Sequence, residues 1–331
     1  MKITQQEIAN ALSLSRNTVS KALKNDILVS PETIQRVQEY ARKNNYYNAH
    51  ENSGGKFVSL IMHNSVAKDN FFWPVVIRGI EKTLAELRYG LTISFVDSMD
   101  DIAVDNGMAG YLMMGMFSDD DYYKAAKRIQ SPLVLIDISS KIPLNELQRD
   151  IVMMENAESV RKLTNHMISL GHTKIGFVGN TSARSVYDRY RGYKRAMIDN
   201  ELKIKKKYCL LNFSHQYDSQ TEDSILYWFS RFDKSDLPTA FVCANDSIAD
   251  NIRQWCNQYF GFDVPCDVSV SGFDNLEEKG FTTVHCFKYE MGQRAAEELV
   301  WRIQNPDRPY EIIRVGTKVV FRDTISKPRN I

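Results

Sequence analysis

The sequence has little of what several protein classes require. Its 331 residues contain five cysteines: Cys209, Cys243, Cys256, Cys266 and Cys286. They are odd in number, widely spaced and lack a C-x-x-C pair. That excludes a disulfide scaffold and a zinc ribbon, and reads as buried thiols in a reducing compartment. No apolar run approaches the ~18 residues of a membrane helix. Met1–Glu7 has no apolar signal core, so a cytoplasmic protein without a membrane partner is expected. Six histidines form no ligand-spaced cluster, so neither metal nor cofactor is expected. The signatures G-x-S-x-G, G-x-x-x-x-G-K-[ST], H-E-x-x-H and G-x-G-x-x-G are absent. Repeats of solenoid period and low-complexity tracts are absent too.

Net charge is also scarce, with 42 Lys+Arg against 41 Asp+Glu. The balance conceals a division. Residues 1–56 carry eight cationic and five acidic side chains, whereas the remaining 275 carry 34 and 36. A small basic module precedes a slightly acidic body, which permits a nucleic-acid partner. His50–Lys56 (H-E-N-S-G-G-K) is polar, glycine-containing and aperiodic, as a linker would be. The predicted organisation is a helical module at 1–48, a linker at 49–56 and a body at 57–331.

Three helices are predicted in the module. Thr4-Gln5-Gln6-Glu7 is a capping box, followed by an apolar face of Ile8, Ala9 and Leu12. Ser13-Leu14 makes a short turn. Ser15 caps a second helix whose inner face is Val19, Ala22 and Leu23. Ser30-Pro31 opens a third, with Ile34, Val37 and Tyr40-Ala41 at helical spacing. This is a helix-turn-helix pattern, with small Ala9 at the crossing. Arg16, Asn17 and Lys21 lie away from the apolar face. Arg suits guanine O6/N7 and Asn suits adenine N6/N7. The hydroxyls of Thr4, Ser15, Thr18 and Ser20 suit phosphates. A helical interaction module with solvated polar residues is the plainer alternative.

The body alternates short apolar runs with amphipathic segments. Strands are predicted at 57–62, 91–96, 111–114, 133–136, 175–178, 209–211, 240–243 and 268–270. Helices are predicted at 75–87, 156–170, 187–200, 219–232, 247–259 and 290–303. That alternation implies an α/β fold of doubly wound parallel sheets, and its length suits two lobes with a cleft. Polar residues follow the strands, including Asp137, Asn245 and Asp274. Ligands of open α/β sheets bind beyond the carboxyl ends of the strands. Carboxylates, carboxamides and a guanidinium there suit a polyhydroxylated ligand, with Phe72 and Trp73 covering an apolar sugar face. Individually, such residues also serve as turn formers and core.

The sequence resembles the LacI/GalR family of transcriptional regulators nearly throughout. In the module the likeness rests on Glu7-Ile8-Ala9, Ser15-Arg16-Asn17-Thr18-Val19-Ser20-Lys21-Ala22-Leu23 and Val29-Ser30-Pro31-Glu32-Thr33. In the body it rests on Leu170-Gly171-His172, Arg189-Tyr190-Arg191-Gly192-Tyr193, Ala244-Asn245-Asp246 and Asp267–Asn275. Tyr289-Glu290-Met291-Gly292 and Val320–Thr324 complete it. The resemblance implies a base-reading role for Arg16 and Asn17, with Lys21 also touching DNA. It implies a periplasmic-binding-protein-like body whose cleft takes a small effector. Arg189, Asn245 and Asp274 would contact it, with Asp137, Phe72, Trp73, Asn70 and a stacking Tyr217. His172 is read as structural.

Three departures stand out. Asn48–Lys56 lacks the Arg and Leu of the family's A-R-S-L-type hinge, whose leucine kinks DNA. Asp97–Gly110 is about a dozen residues short, which predicts that one first-lobe helix is truncated or lost. Glu155-Asn156 replaces Asp-Asn, and Asn70-Phe71-Phe72-Trp73 replaces N-P-F-F. The expected function is a homodimeric repressor. It reads a pseudo-palindromic operator in double-stranded DNA under control of a small effector, a carbohydrate or its derivative. A sugar- or nucleoside-processing enzyme and a transport solute-binding protein are the alternatives; neither gives the basic module a role.

Overall fold

The structure, a computed structural model, describes residues 4–23, 29–43, 56–69, 71–105, 107–213 and 227–329. Expectations placed on Asn70, Tyr217, linker residues 49–55 and positions 219–226 fall outside these residues. The chain separates into two compact units: Met1–Lys56 with Arg88–Gly90, and Phe57–Leu87 with Leu91–Ile331.

The first unit contains α1 (Gln5–Leu12), α2 (Arg16–Leu23) and α3 (Pro31–Lys43). Ile8, Ala9, Val19, Ala22, Val37 and Ala41 are buried together, and Leu12, Leu14, Leu23, Ile34 and Tyr40 pack around them. The caps form as the sequence requires. Thr4 and Glu7 complete a reciprocal capping box, and Ser15 Oγ accepts from the Thr18 amide at 3.0 Å. Ser30 Oγ accepts from the Thr33 amide at 3.3 Å.

The body begins with β1 (Lys56–His63), α4 (Trp73–Glu86), β2 (Tyr89–Val96), β3 (Gly110–Met114), α5 (Asp119–Arg128), β4 (Leu133–Ile136) and β5 (Asp150–Met154). It continues with α6 (Ala157–Ser169), β6 (Ile175–Val178), α7 (Arg184–Asp199), β7 (Cys209–Leu210), β8 (Ala240–Cys243), α8 (Asp246–Phe260) and β9 (Ser269–Ser271). It ends with β10 (Thr283–Cys286), α9 (Lys288–Gln304), β11 (Ile312–Val315) and β12 (Thr317–Val320).

The first lobe is a six-stranded sheet in the order β11-β5-β4-β3-β1-β2. Pairs β1–β3, β3–β4, β4–β5 and β5–β11 are parallel. One face buries Ile61, Met113, Leu135 and Ile151 against Tyr122 and Ala125 of α5. The other carries α9, which packs on β3, β4, β5 and α4. Glycine sets the α4–α9 approach: a Cβ on Gly79 would lie 2.2 Å from the Tyr289 carbonyl oxygen. A bidentate pair fastens α9 to β5, with Arg302 Nε 2.6 Å and Nη2 2.8 Å from the Asp150 carboxylate.

The second lobe is a parallel sheet in the order β7-β6-β8-β9. An antiparallel β10–β12 pair accompanies it. The chain passes between lobes three times, after β5, after β10 and between β11 and β12. Among the described residues between β2 and β3 stands a one-turn helix, Met99–Asp101, where the shortened segment predicted a truncated or lost helix.

Some features differ from expectation. α5 and strands β5, β10, β11 and β12 were not anticipated. β5 opens on a polar Asp150, buried by its pairing with Arg302. α5 starts with three aspartates, which resemble a solvated loop until Ser118 caps them. Cys266 is exposed, in a turn outside the sheets, and Cys209 on edge strand β7 is half-buried, which corrects the reading of all five thiols as buried. His172 is buried between Thr239 Oγ1 at 2.9 Å and the Ser326 carbonyl at 2.8 Å, and burial lowers its pKa.

Candidate functional site

Two sites follow from these elements, one in each unit. In the first, Ser13 turns the chain from α1 towards α2 in the left-handed region, at φ 54°. Leu14 N–H then donates to the Ala9 carbonyl at 2.9 Å. With Val19 and Ala22 directed inward, positions 16, 17, 20 and 21 share the outer face of α2. Arg16 and Asn17 are exposed there, while Ser20 and Lys21 are half-buried. Thr4, Ser15 and Thr18 are engaged differently. Thr4 Oγ1 bonds Glu7, and Ser15 Oγ lies 2.8 Å from Thr18 Oγ1 while capping α2. The Thr4 backbone amide, then its hydroxyl, hold the Glu7 carboxyl below its usual range. These three hydroxyls build the helix starts; Arg16, Asn17, Ser20 and Lys21 form the presented surface.

In the body, polar groups collect beyond the carboxyl ends of strands from both lobes. Asp137 follows β4 at φ 45°, and Asp274 follows β9 at φ 104°. Both are non-glycine residues in the left-handed region, a strain that persists only where surroundings enforce it. For Asp274 the enforcing residue is buried Asp246. Its carboxylate accepts from the Leu276 amide and the Thr283 hydroxyl, each at 2.7 Å, and its own N–H donates to the Phe273 carbonyl. Gly272 admits this arrangement, since a Cβ there would fall 1.9 Å from Asp246 Oδ1.

Arg189, on α7, is the hub. Its Nε donates to Asn156 Oδ1 at 2.9 Å and its Nη1 to the Ala244 carbonyl at 2.7 Å. The guanidinium stacks 3.5 Å from the Phe273 ring centroid, so its position is fixed before any ligand arrives. Burial pushes the Asp137 carboxyl up to about 6; Arg189 opposes the rise, and Asp274 and Asp188 add to it. Burial also raises Asp274, opposed by Arg189 and then Lys288. One guanidinium thus serves two acidic residues, one from each lobe.

Phe72 and Trp73 stand at the start of α4, with ring centroids 4.9 Å apart and planes at 78°. Asp69 Oδ1 positions them by accepting from the Phe71 and Phe72 amides. Asn245 caps α8, accepting from the Ile248 amide at 2.9 Å. The structure therefore gathers Asp137, Arg189 and Asp274, sets Phe72 beside Trp73, and uses one Asn245 oxygen as a cap.

Sequence reasoning missed Lys288. It is buried at the start of α9, with Nζ 3.5 Å from the Phe71 carbonyl and 5.4 Å from the Phe72 ring centroid. Its charge also acts on Asp274. A lysine after an apolar strand offers no pattern of its own; burial comes from residues 217 positions away. Among the described residues, no group of three or more His, Cys, Asp or Glu could hold a metal ion. No helix among them is long and apolar enough to cross a membrane.

Comparison with known proteins bears on the fold. Residues 164–325 match the family model of the periplasmic binding protein-like domain. The chain is 27% identical to the arabinose metabolism transcriptional repressor of Geobacillus stearothermophilus, with 96% of this chain and 91% of that protein covered. A regulator solved in complex with cellobiose, CelR, has a similar fold: TM-score 0.70 at 20% identity, covering 98% of this chain and all of the other. The Lac repressor dimer bound to operator and the anti-inducer ONPF has the same TM-score at 18% identity, with 98% and 100% covered.

Proposed function

We propose that this chain is a LacI/GalR-type transcriptional regulator, a cytoplasmic, homodimeric repressor whose operator affinity is set by a sugar. Residues 1–48 are the DNA-binding headpiece, 49–56 the linker and 57–331 the effector-binding and dimerisation body. Arg16 and Asn17 read bases, and Lys21 adds charge near phosphate. A dimer presents two headpieces to a pseudo-palindrome. Exposed Ile93 and Phe95 lie on one face of the sheet's edge strand β2 and supply apolar surface for the partner.

The observation that carries the effector reading is the buried, bonded Arg189 guanidinium, whose charge acts on the acidic Asp137 and Asp274 of the two lobes. Two carboxylates accept from hydroxyls, and the guanidinium donates back. A phosphate would meet both carboxylates, and two of the arginine's nitrogens already have partners. The site therefore takes a neutral polyol in preference to a sugar phosphate. Phe72 and Trp73 cover its apolar face. The Lys288 ammonium donates to a hydroxyl beside Asp274, and Asn245 extends the polar rim; Asn70 is assigned an effector contact on the sequence resemblance. Tyr217 is assigned a stacking role.

A thermal-shift panel of neutral pentoses, hexoses and disaccharides against their phosphates tests this. A binder at 100 times its Kd adds about 2.7 kcal/mol to the folded state. Stabilisation by phosphates alone would overturn the polyol assignment. Any effector that alters operator affinity must have its own affinity altered by the same factor when operator is bound.

A further inference from the structure

Two segments that carry cleft residues are tied to each other outside the cleft. In the first lobe, the chain leaves β4 through Asp137 and runs on to Ile142. In the second, Arg184 opens α7. The Arg184 amide donates to the Ser139 carbonyl at 2.8 Å and its Nε to the Ser140 carbonyl at 2.6 Å. Its Nη2 donates to the Ile142 carbonyl. On the same turn of α7, the Tyr187 ring centroid lies 4.7 Å from Lys141 Nζ.

The 138–142 loop is equally bound to its own lobe. Ser139 N–H donates to the Tyr122 hydroxyl at 3.2 Å, and Ser139 Oγ to the Phe117 carbonyl at 3.3 Å. Ser140 Oγ donates to Asp119. Ile138 and Ile142 are buried. The loop is therefore a rigid part of the first lobe, and Arg184 grips it from the second. An arginine fork reaches neighbouring carbonyls together; a lysine reaches one at a time.

The grip sits beside the effector residues. Asp137 precedes Ser139 by two positions. Arg189 follows Arg184 by five, about 7.5 Å along the helix. We propose that Arg184 is a positioning residue: it holds the lobes at the separation where Asp137 and Arg189 share the cleft, and so tunes effector affinity from outside the pocket. This rests on the cleft being the effector site. When only the closed population binds, apparent affinity falls in proportion to that population. A second-lobe residue that makes three bonds to the first lobe controls that fraction directly.

The test uses the full-length protein without effector, in a Cys266→Ser background. Spin labels go on exposed Asp120→Cys in the first lobe and Glu201→Cys in the second. Pulsed dipolar spectroscopy then gives the inter-lobe distance distribution, and hydrogen exchange reads the 182–187 amides. Arg184→Ala should add a longer-distance population and speed exchange there about tenfold, with β6 and β8 unchanged. Arg184→Lys should fall between, and Lys141→Ala should shift distances the same way by less. Wild-type distances and exchange in Arg184→Ala would overturn the proposal. Should that variant fail to fold, unchanged distances in both Arg184→Lys and Lys141→Ala would overturn it. The effector reading fails separately: if no sugar stabilises the wild type while Arg184→Ala still opens the lobes, the latch stands and the sugar assignment falls.

Discussion

The headpiece and the cleft put their functional side chains in opposite circumstances. On α2, Arg16 and Asn17 stand in solvent, on a backbone held by the Ser15 cap and by Val19 and Ala22 packed beneath. In the body, Arg189 is buried, bonded twice and stacked on Phe273 before any ligand is present. The first arrangement leaves side chains to order on contact with a charged, hydrated partner. The second pre-arranges charge in a site of low dielectric, where each group's protonation depends on the others. Exposed readers act nearly independently, whereas buried ones act as a unit.

The largest effect should come from breaking the buried unit. Arg189→Met leaves Asp137 and Asp274 without their shared cation. The body should lose about 3 kcal/mol in urea unfolding at pH 7.5. The loss should shrink at pH 5, below the Asp137 value of about 6, where that carboxyl is protonated. An equal loss at both pH values would show that the cation is not what these acids need.

Arg16→Ala tests the exposed surface. It should cost on the order of 1–3 kcal/mol in operator titration and relax preference at one base position. Unchanged affinity and preference would sink the base-reading assignment. Body stability should not move, because α2 contributes nothing to that core.

Asp137→Asn probes the coupling. A carboxyl raised in the folded state binds its proton more tightly there than when unfolded, so stability falls as pH rises from about 4 to about 6. The variant should remove up to about 1.4 kcal/mol per pH unit of that slope, measured by denaturant titration at several pH values. A slope identical to wild type would remove Asp137 from the network.

The smallest effect should come from Ser15→Ala. Losing this cap destabilises the headpiece by about 0.5–1 kcal/mol. It should weaken binding alike for matched and mismatched operators, unlike Arg16→Ala. A change in sequence preference would make Ser15 a reader after all.

Most of the fold was legible in the sequence where the signal is local. The V-S-P-E-T cap, the Thr4–Glu7 box and the apolar runs of β1, β4, β6 and β8 each state their own conformation. β5 was not legible, because it opens on Asp150, whose burial is explained by Arg302 and the Glu311 amide, more than 150 residues later. The Ser118–Asp121 capping box of α5 was a usable signal that the acidic run obscured. The strand-end rule brought out Asp137 and Asp274. It could not bring out Lys288 or Arg184, whose partners come from distant segments and which follow no recurrent spacing. Long-range pairing escapes a pattern read along the chain.

The three passages between lobes bear on how the molecule is made. The first lobe's sheet takes its last strand, β11, from residues Ile312–Val315, after the whole second-lobe sheet has been synthesised. On the ribosome, that sheet waits with an open edge along β5 while residues 155–311 are made. An exposed edge recruits other strands. Only when Ile312–Val315 emerge does the nascent chain cover that edge, so a stop near position 305 should leave β5 open to pairing with other chains.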